Sequence, residues 1–484
     1  DTFPNGIRSI FPYSKNRPDK TGRTGGNRCP EQAVPDSVPP TDPASGKSSG
    51  KTAPDGRAKA SGKNVRHCGF IHIFAPKLPA PGSAFLHTNP FPMAGVYIHI
   101  PFCKSKCHYC DFYSSTALEK KEAVLAAIAG ELRQRASFLG SETVRTVYFG
   151  GGTPSLCTPS ELGGLLAIVR ERFDTRLEEI TVEANPDDLT DDYLAALRDE
   201  GVGRLSIGIQ SFDDRDLRFM HRRHDAATAI GAVERARKAG FDNLTIDLIY
   251  GIPGSTPERW ARNLRQAVAL DVPHLSAYHL TIEEGTVFGR RAARGEFTEI
   301  PSERSREEYD LLEETLAAAG YEHYEISNFA RPGFRAVHNS NYWNGTPYLG
   351  VGPAAHSFDG GRQRQWNTAH IGRYLEEVPG NRHCRTETLT ETMRYNEFVM
   401  TALRTAEGVD TERLEERFGA RKLQYFITQA KKHLARNTIV RNKSVYYIPS
   451  EHFLISDGII ADLFYIDADC ETETDAENRQ EPNR

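Results

Sequence analysis

From about Gly95 onward, short runs of β-branched and aromatic residues alternate with stretches of helical periodicity, the pattern of βα units around a parallel sheet. The runs are VYIHI (96–100), TVYF (146–149), EITVEA (179–184), RLSIGI (204–209), LTIDLIY (244–250) and HLSAYHLTI (274–282). Helix candidates lie between them at about 118–138, 159–173, 190–200, 213–220, 225–239 and 257–270. Gly240 closes the fifth, where a left-handed cap suits glycine. Six units fall short of the eight of a closed barrel, so the pattern predicts an open, partial (β/α)6 barrel.

The texture weakens after about residue 300. A helix at 303–319 leads to YEHYEISNFA, a further strand candidate, and then to a Gly-, Asn- and aromatic-rich segment over 331–361. ETMRYNEFVMTALRT, TERLEERF and KLQYFITQAKKHLARN read as helices and SVYYIP (444–449) as a strand. That outline predicts a mostly helical, winged-helix-like unit, although it lacks the basic stripe of a DNA reader.

Residues 1–92 differ in kind: they hold 14 of the 28 prolines, carry 13 Lys and Arg against 6 Asp and Glu, and show no apolar periodicity. Such a segment buries too little apolar surface to offset its ordering entropy. FIHIFAP (70–76) is too short, and too far from the start, for a targeting core. The chain begins with Asp1 and Met93 stands directly before the first strand. The expectation is a disordered extension or translated upstream sequence. The expected organisation is therefore an extension over 1–93, a barrel over 94–330, a connecting segment over 331–385, the winged-helix-like domain over 386–465 and an acidic tail over 466–484.

Composition narrows the function classes. In 484 residues, 38% are hydrophobic and no apolar run approaches the roughly 20 residues of a membrane-spanning helix. A net charge of -5 argues against a general nucleic-acid binder, whose affinity comes mostly from neutralising phosphates. Eight cysteines are too sparse for a secreted disulfide scaffold.

Three of those cysteines carry chemistry by their placement. Cys103, Cys107 and Cys110 lie in IPFCKSKCHYCDF, directly after the first strand, where barrel enzymes set their sites. Spacings of four and three put three thiolates on one loop that can wrap an iron–sulfur cluster, and the missing fourth would leave one iron open. The competing reading is a zinc knuckle completed by His99 or His108. It lacks the second ligand pair that zinc sites usually draw from a separate segment. Cys29, Cys68, Cys157, Cys384 and Cys470 stand alone and read as ordinary thiols.

Other candidates follow the strands. FGGGTPS (149–155) ends the second, with glycines that let the backbone approach a ligand. Glu183 closes the third, Gln210 follows the fourth and Asp247 sits in the fifth. Each alone is compatible with capping or a satisfied core group; together they suggest a ligand shell. Arg222, in FMHRRH, suits a carboxylate through a bidentate pair, and Arg223 beside it reads as solvated.

CKSKCHYC resembles the CxxxCxxC pattern of the radical S-adenosylmethionine (SAM) superfamily, and YIHIPFC before it resembles the subgroup related to oxygen-independent coproporphyrinogen III oxidase. The resemblance covers about residues 94–465. It implies a radical SAM barrel, a [4Fe-4S] cluster on Cys103, Cys107 and Cys110, and a cosubstrate shell of Tyr97, Tyr109, Gly151, Gly152, Thr153, Glu183, Gln210, Arg222, Asp247 and Thr281. Two features depart from the oxidase: Phe112 stands where it carries a further cysteine, and HNSNYW (338–343) is followed by YLGVGPAAHS (348–357). Both are similar to the HemW family of haem chaperones.

That resemblance implies haem binding through His338, Asn339, Tyr342 and Trp343, with His356 as a rival ligand. Read from the residues alone, HNSNYW is a loop packed on the barrel, with His338 hydrogen-bonded and Trp343 as an anchor. The family reading further implies haem delivery to an acceptor protein, an electron donor as partner and a cytoplasmic location. It leaves room for a homodimer and for membrane association through the acceptor. Nucleic acid is not an expected partner, and oxidase activity is not expected; the alternative is a radical enzyme acting on coproporphyrinogen III or a related porphyrin.

Overall fold

The computed structural model describes residues 93–467. Six parallel strands form its centre: β1 (Met93–Ile100), β2 (Thr143–Gly151), β3 (Thr175–Ala184), β4 (Arg204–Gln210), β5 (Asn243–Tyr250) and β6 (His274–His279). Their crossovers are α1 (Lys121–Gln134), α2 (Pro159–Arg172), α3 (Asp191–Asp199), the pair α4 (Asp214–Phe219) and α5 (Ala226–Lys238), and α6 (Pro257–Ala269). All six predicted units are present. Helices α2 to α6 start where a side chain satisfies a free N–H group. Thr158 and Glu161 form a reciprocal capping box on α2, and Thr190, Asp225 and Thr256 cap α3, α5 and α6. Gly240 has φ +85°, as its place after α5 requires.

Neighbouring strands are in register, so side chains alternate together between two environments. Val96, Ile98, Val147, Phe149, Val182, Leu205, Ile207, Leu244 and Ile246 form one row and are fully buried in the apolar core. The intervening positions form the inner face and are polar or aromatic: Tyr97, His99, Thr146, Tyr148, Glu179, Glu183, Arg204, Ser206, Thr245, Asp247, His274 and Ser276.

The sheet is longer than six strands. After α7 (Val287–Ala293) and α8 (Ser302–Ala318), β7 (Glu322–Glu325) and β8 (Asn328–Ala330) add antiparallel to the β6 edge. The segment 331–361, expected to be irregular, contains α9 (Val337–Asn344), β9 (Tyr348–Val351) and β10 (His356–Phe358). β9 runs parallel to β1 on the other edge, and β10, β11 (Gln363–Asn367) and β12 (Cys384–Thr388) continue antiparallel from it, with α10 (Ile371–Glu377) between the last two. Among the described residues the twelve-stranded sheet stays open, in the order β12-β11-β10-β9-β1-β2-β3-β4-β5-β6-β8-β7. The C-terminal part packs α11 (Glu391–Leu403), α12 (Thr411–Ala435) and α13 (Ser456–Ala461) with a small sheet of β13 (Val409–Asp410), β14 (Val440–Asn442) and β15 (Val445–Tyr447). Its two predicted central helices join through a break at Gly419, φ 79°.

Some boundaries move. Met93, expected to end the extension, already pairs with Thr143 in β1. β6 stops at His279 rather than at residue 282, because Glu283 and Thr286 form the turn that starts α7. Residues 1–92, most of the acidic tail, and Cys29, Cys68 and Cys470 lie outside the described residues.

One buried ion pair joins the first crossover to the added strands. The Glu131 carboxylate, fully buried in α1, accepts from Arg135 Nη1 at 2.8 Å, Gly352 N–H at 2.8 Å, Asn367 Nδ2 at 2.7 Å and Tyr374 Oη at 2.5 Å. His383 Nε2 lies 3.1 Å from it. Arg135 in turn donates to the Gly350 carbonyl, Ser357 and Gln365. Burial alone would raise the Glu131 carboxyl, but the bond from His383 and the charge of Arg135 outweigh it and hold the group below its ordinary 4.5. Because the folded carboxyl is the stronger acid, its stabilisation is present above the unfolded value near 4.5 and disappears as pH falls through the folded value. Glu131→Ala should cost about 3–5 kcal/mol at neutral pH, since it strands a buried guanidinium. Urea denaturation at several pH values checks this, and a wild-type and variant difference that fails to shrink on acidification contradicts the assignment.

Candidate functional site

At the carboxyl end of β1 the chain enters the cysteine loop, whose neck is closed by two backbone bonds. Cys103 N–H donates to the Ser115 carbonyl at 3.0 Å and Ser115 N–H to the Pro101 carbonyl at 2.7 Å. Its middle is tied to the far side of the barrel mouth. His108 N–H reaches the Met220 carbonyl, Phe288 N–H reaches the His108 carbonyl, and the His108 ring stacks on His221 with centroids 4.5 Å apart.

Cys103, Cys107 and Cys110 are all half-buried. Thr153 Oγ1 donates to Cys103 Sγ at 3.5 Å and Arg222 Nη1 to Cys107 Sγ at 3.3 Å. Burial pushes the Cys103 thiol up, and burial with the neighbouring Cys107 pushes Cys110 to about 12. Metal binding must therefore release those protons. Among the described residues no three His, Cys, Asp or Glu converge on a point where a single ion would sit. A cuboidal cluster instead spreads three thiolates over three irons. His99 is committed elsewhere, with Nδ1 on Tyr97 Oη at 3.0 Å and Nε2 on the Tyr113 carbonyl at 3.1 Å, so it does not complete a zinc knuckle. The donor set fits an iron–sulfur cluster.

Around this loop stand most of the expected cosubstrate residues. Glu183 accepts from Tyr148 Oη at 2.8 Å and from Gly151 N–H at 3.0 Å. Burial raises its carboxyl to about 7, against the Tyr148 bond. Burial likewise raises Asp247 to about 6, against the hydroxyls of Ser276 and Ser206. Gln210 ends β4 buried and in the left-handed region, φ 71°, a strained conformation for a residue with a Cβ. Gly152 is required by space: a Cβ there would meet the backbone of Phe102 at 2.7 Å. Tyr97 stacks on Tyr148, and Tyr109 packs with Leu217, Met220 and Phe288. Thr281 is exposed beyond the end of β6.

Arg222 joins these parts. Besides Cys107 it donates through Nη2 to Asn185 Oδ1 and to the Gly208 carbonyl, both at 2.6 Å, while its buried Nε has no partner among the described residues. A half-buried cation with a donor to spare, beside three thiols, is suited to an anionic ligand. Asn185 was not expected from the sequence, yet it ties Arg222 to Thr153 through Nδ2 at 3.3 Å. Its only sequence signal is its place one residue beyond β3. Arg223, read as solvated, is instead only 19% exposed and bridges Asp187 and Asp188.

HNSNYW is at the other end of the barrel, on a helix and not on a loop. The Glu179 carboxylate receives the first free amides of α9, Val337 N–H and His338 N–H, each at 2.9 Å. His338 is buried with both ring nitrogens engaged, Nδ1 on Thr146 Oγ1 and Nε2 on Tyr342 Oη, each at 2.8 Å. Burial lowers its pKa to about 3, so it is neutral. It packs on Tyr148 with ring centroids 5.1 Å apart and lies against Gly95 near the start of β1. The cysteine loop begins after Ile100, five residues or roughly 17 Å further along that strand. Asn339 faces a cavity of about 40 Å³ lined by Glu183 and Asp247, Tyr342 packs edge-on to Tyr348, and Arg404 covers Trp343. Reading the strands as uniform runs passes over Thr146, Tyr148 and Glu179; their period-two spacing is the available signal.

Comparison with known proteins agrees with this arrangement. Residues 97–267 match the Radical SAM superfamily and residues 389–446 match the HemN C-terminal domain. The chain is 39% identical over 324 residues to "Heme chaperone HemW" of Lactococcus lactis subsp. lactis, covering 66% of this chain and 84% of that one. It is 33% identical over 373 residues to the protein of the same name from Bacillus subtilis, covering 76% and 98%. Among solved structures, coproporphyrinogen III oxidase (HemN) from Escherichia coli superposes with a TM-score of 0.68 over 78% of this chain and 91% of that one, at 24% identity, a likeness of fold.

Reconstituted without oxygen, the protein should hold about four iron and four sulfide per chain. Cys103→Ala, Cys107→Ala and Cys110→Ala should each lose the cluster, as read by iron analysis and visible absorption. Zinc in its place, or unchanged iron in any of the three, contradicts the assignment.

Proposed function

The chain belongs to the HemW family of radical SAM proteins, and from that premise we propose that it is a haem chaperone that binds a [4Fe-4S] cluster, SAM and haem and passes haem to an acceptor protein. The observation that carries the cosubstrate part is Arg222, a half-buried guanidinium that touches the Cys107 thiol and keeps a buried Nε without a partner among the described residues. Cys103, Cys107 and Cys110 would hold the cluster, which when bound supplies a low-potential electron and an open iron for the cosubstrate.

The residues around it then have assignable tasks. Arg222 faces the carboxylate of the cosubstrate, and Asn185 and the Gly208 carbonyl fix the guanidinium plane. Glu183 receives the amino group: its carboxyl, raised by burial, ionises when an ammonium arrives beside it. Tyr148 Oη and Gly151 N–H orient that carboxylate before the ligand enters. Thr153 donates to Cys103 Sγ and lowers the cost of its thiolate.

The haem part is supported by the two relatives' names and by Phe112, a side chain that cannot donate a thiol or a proton where the oxidase has a cysteine. An electron donor, an acceptor protein and a cytoplasmic setting complete the proposal. The competing reading, a radical enzyme acting on coproporphyrinogen III, draws on the complete cysteine loop and the shell around Arg222.

One assay separates the two. Under anaerobic reduction, coproporphyrinogen III should remain unconsumed while haem-loaded protein transfers haem to an apo-haemoprotein acceptor. Stoichiometric decarboxylation to protoporphyrinogen IX would make this an oxidase.

A further inference from the structure

Where α11 packs on α12, four rings form a contiguous series with cations laid on them. Phe398 packs on Phe418 with centroids 5.6 Å apart, Phe418 meets Tyr395 edge-on at 5.7 Å, and Tyr395 meets Tyr465 at 6.1 Å. Arg417 lies over Phe398 at 5.6 Å and Arg394 over Phe418 at 5.9 Å. Lys422 Nζ lies over Tyr395 at 5.4 Å and over Tyr465 at 3.2 Å. Ring faces hold these cations in place without neutralising them. Arg413 and Arg421 flank Arg417 along α12 and add two more, with the break at Gly419 between Arg417 and Arg421.

The strip is unbalanced in charge. Arg413, Arg417 and Arg421 are exposed and Arg394 is half-buried. Among the described residues none of the four has a carboxylate at ion-pair distance, and Glu397 of α11 is held by Arg364. Partial burial, and then the charges of Arg413 and Arg394, lower the Arg417 guanidinium, and Glu416 beside it does not restore it. Like charges so grouped repel, and an anion placed among them relieves the repulsion.

The chain itself leaves the described residues at this strip. Tyr425 Oη donates to the Phe464 carbonyl at 2.8 Å. Asn396 holds Tyr465 on both sides, accepting its N–H at 2.7 Å and donating to its carbonyl at 3.2 Å. Ile466 and Asp467 follow, both exposed, and Asp467 opposes the lowering that burial imposes on the Lys422 ammonium. From there the sequence sets an acid at every second position, Asp467, Asp469, Glu471, Glu473, Asp475 and Glu477, with no base before Arg479. In an extended chain residues two apart share one side at roughly 6.6 Å spacing, so these carboxylates can form a single row. Arg413 to Lys422 spans roughly 15 Å of α12, a length that about five extended residues match.

We infer that residues 467–477 dock in cis on this strip, an acidic strap whose row of carboxylates faces Arg394, Arg413, Arg417 and Arg421. Three observations name this occupant. The chain emerges at the Lys422 end, its acids alternate with the period that puts them on one side, and the arginines opposite have no carboxylate of their own among the described residues. Each exposed pair is weak, and the tether supplies the effective concentration that lets several act together. The strap keeps a cationic surface from taking up other anionic segments, and because its hold is electrostatic it loosens with salt.

Phenylglyoxal modification of arginine in the full chain, followed residue by residue by peptide mass spectrometry, tests this. The comparison protein carries Asp469→Asn, Glu471→Gln, Glu473→Gln, Asp475→Asn and Glu477→Gln, which leaves every described residue unchanged. At low salt Arg413 and Arg417 should react at least about fivefold more slowly in the wild type, the factor for a strap in place roughly four-fifths of the time. The gap should close at about 1 M salt, while exposed Arg385 on β12 reacts alike in both proteins. A labelled peptide of residues 467–477 should bind the neutralised protein and not the wild type, and should lose binding when Arg413→Gln and Arg417→Gln are added. Equal rates at Arg413 and Arg417 in the two proteins at low salt overturn the strap. Peptide binding to both proteins alike overturns it as well and leaves the strip open to an acidic segment of another molecule. Protection that fades on dilution places the tail on a second copy and overturns docking in cis.

Discussion

Burying polar side chains on the inner face of a parallel sheet is the constraint from which the rest of this structure follows. A polar group removed from water without a partner costs several kcal/mol, so each inward position must find one inside the barrel. The solutions run in layers set by strand register. At the lower end Glu179, Thr146 and His338 satisfy one another through the first turn of α9. Beside them Arg204 reaches Asn243 and Thr245, and His274 links Thr245 to Tyr324. At the upper end Tyr148, Gly151 and Glu183 form the corresponding set. Burial also decides charge: His99 and His338 are held neutral, and Glu183 and Asp247 titrate near neutrality.

The two ends meet that constraint differently. Below, α9 brings partners to both ring nitrogens of His338. Above, the network stops short: Arg222 keeps a buried Nε in reserve, Glu183 and Asp247 are weak acids beside it, and Gln210 is strained. A zwitterionic ligand would complete the upper set by bringing a carboxylate to Arg222 and an ammonium to Glu183. The preorganised donors are in place before that ligand arrives, which is how an enclosed site gains affinity without reorganising.

How much of this could be read from the chain follows from the range of each signal. The six strands and the cysteine loop were legible because their information is local: period and spacing within ten residues. Glu183, Gln210, Arg222 and Asp247 were legible as candidates because the ends of barrel strands are a defined place. Asn185, the Glu131 to Arg135 pair and the inner layers were not, since each depends on partners 30 to more than 200 residues away. The segment 331–361 hid its structure for a further reason. Its helix has eight residues and its strands four and three, below the length at which periodicity distinguishes them from loop. Helix α9 is held by a cap from Glu179, 158 positions away, and not by its own propensity.

That origin changes how HNSNYW should be weighed. A histidine among Asn and aromatic residues invites a ligand reading while the segment is taken as an exposed loop. With α9 seated in the barrel end opposite the cysteine loop, the same residues also meet a structural demand: they supply donors, acceptors and ring surface to the inner face of the sheet. In barrels of this kind the carboxyl ends of the strands carry chemistry, and the amino ends carry stability. Phe112 and His356 sit toward the first of these ends, and His338 and Trp343 toward the second. His338 stacks on Tyr148, whose hydroxyl in turn donates to the Glu183 carboxylate further along the barrel.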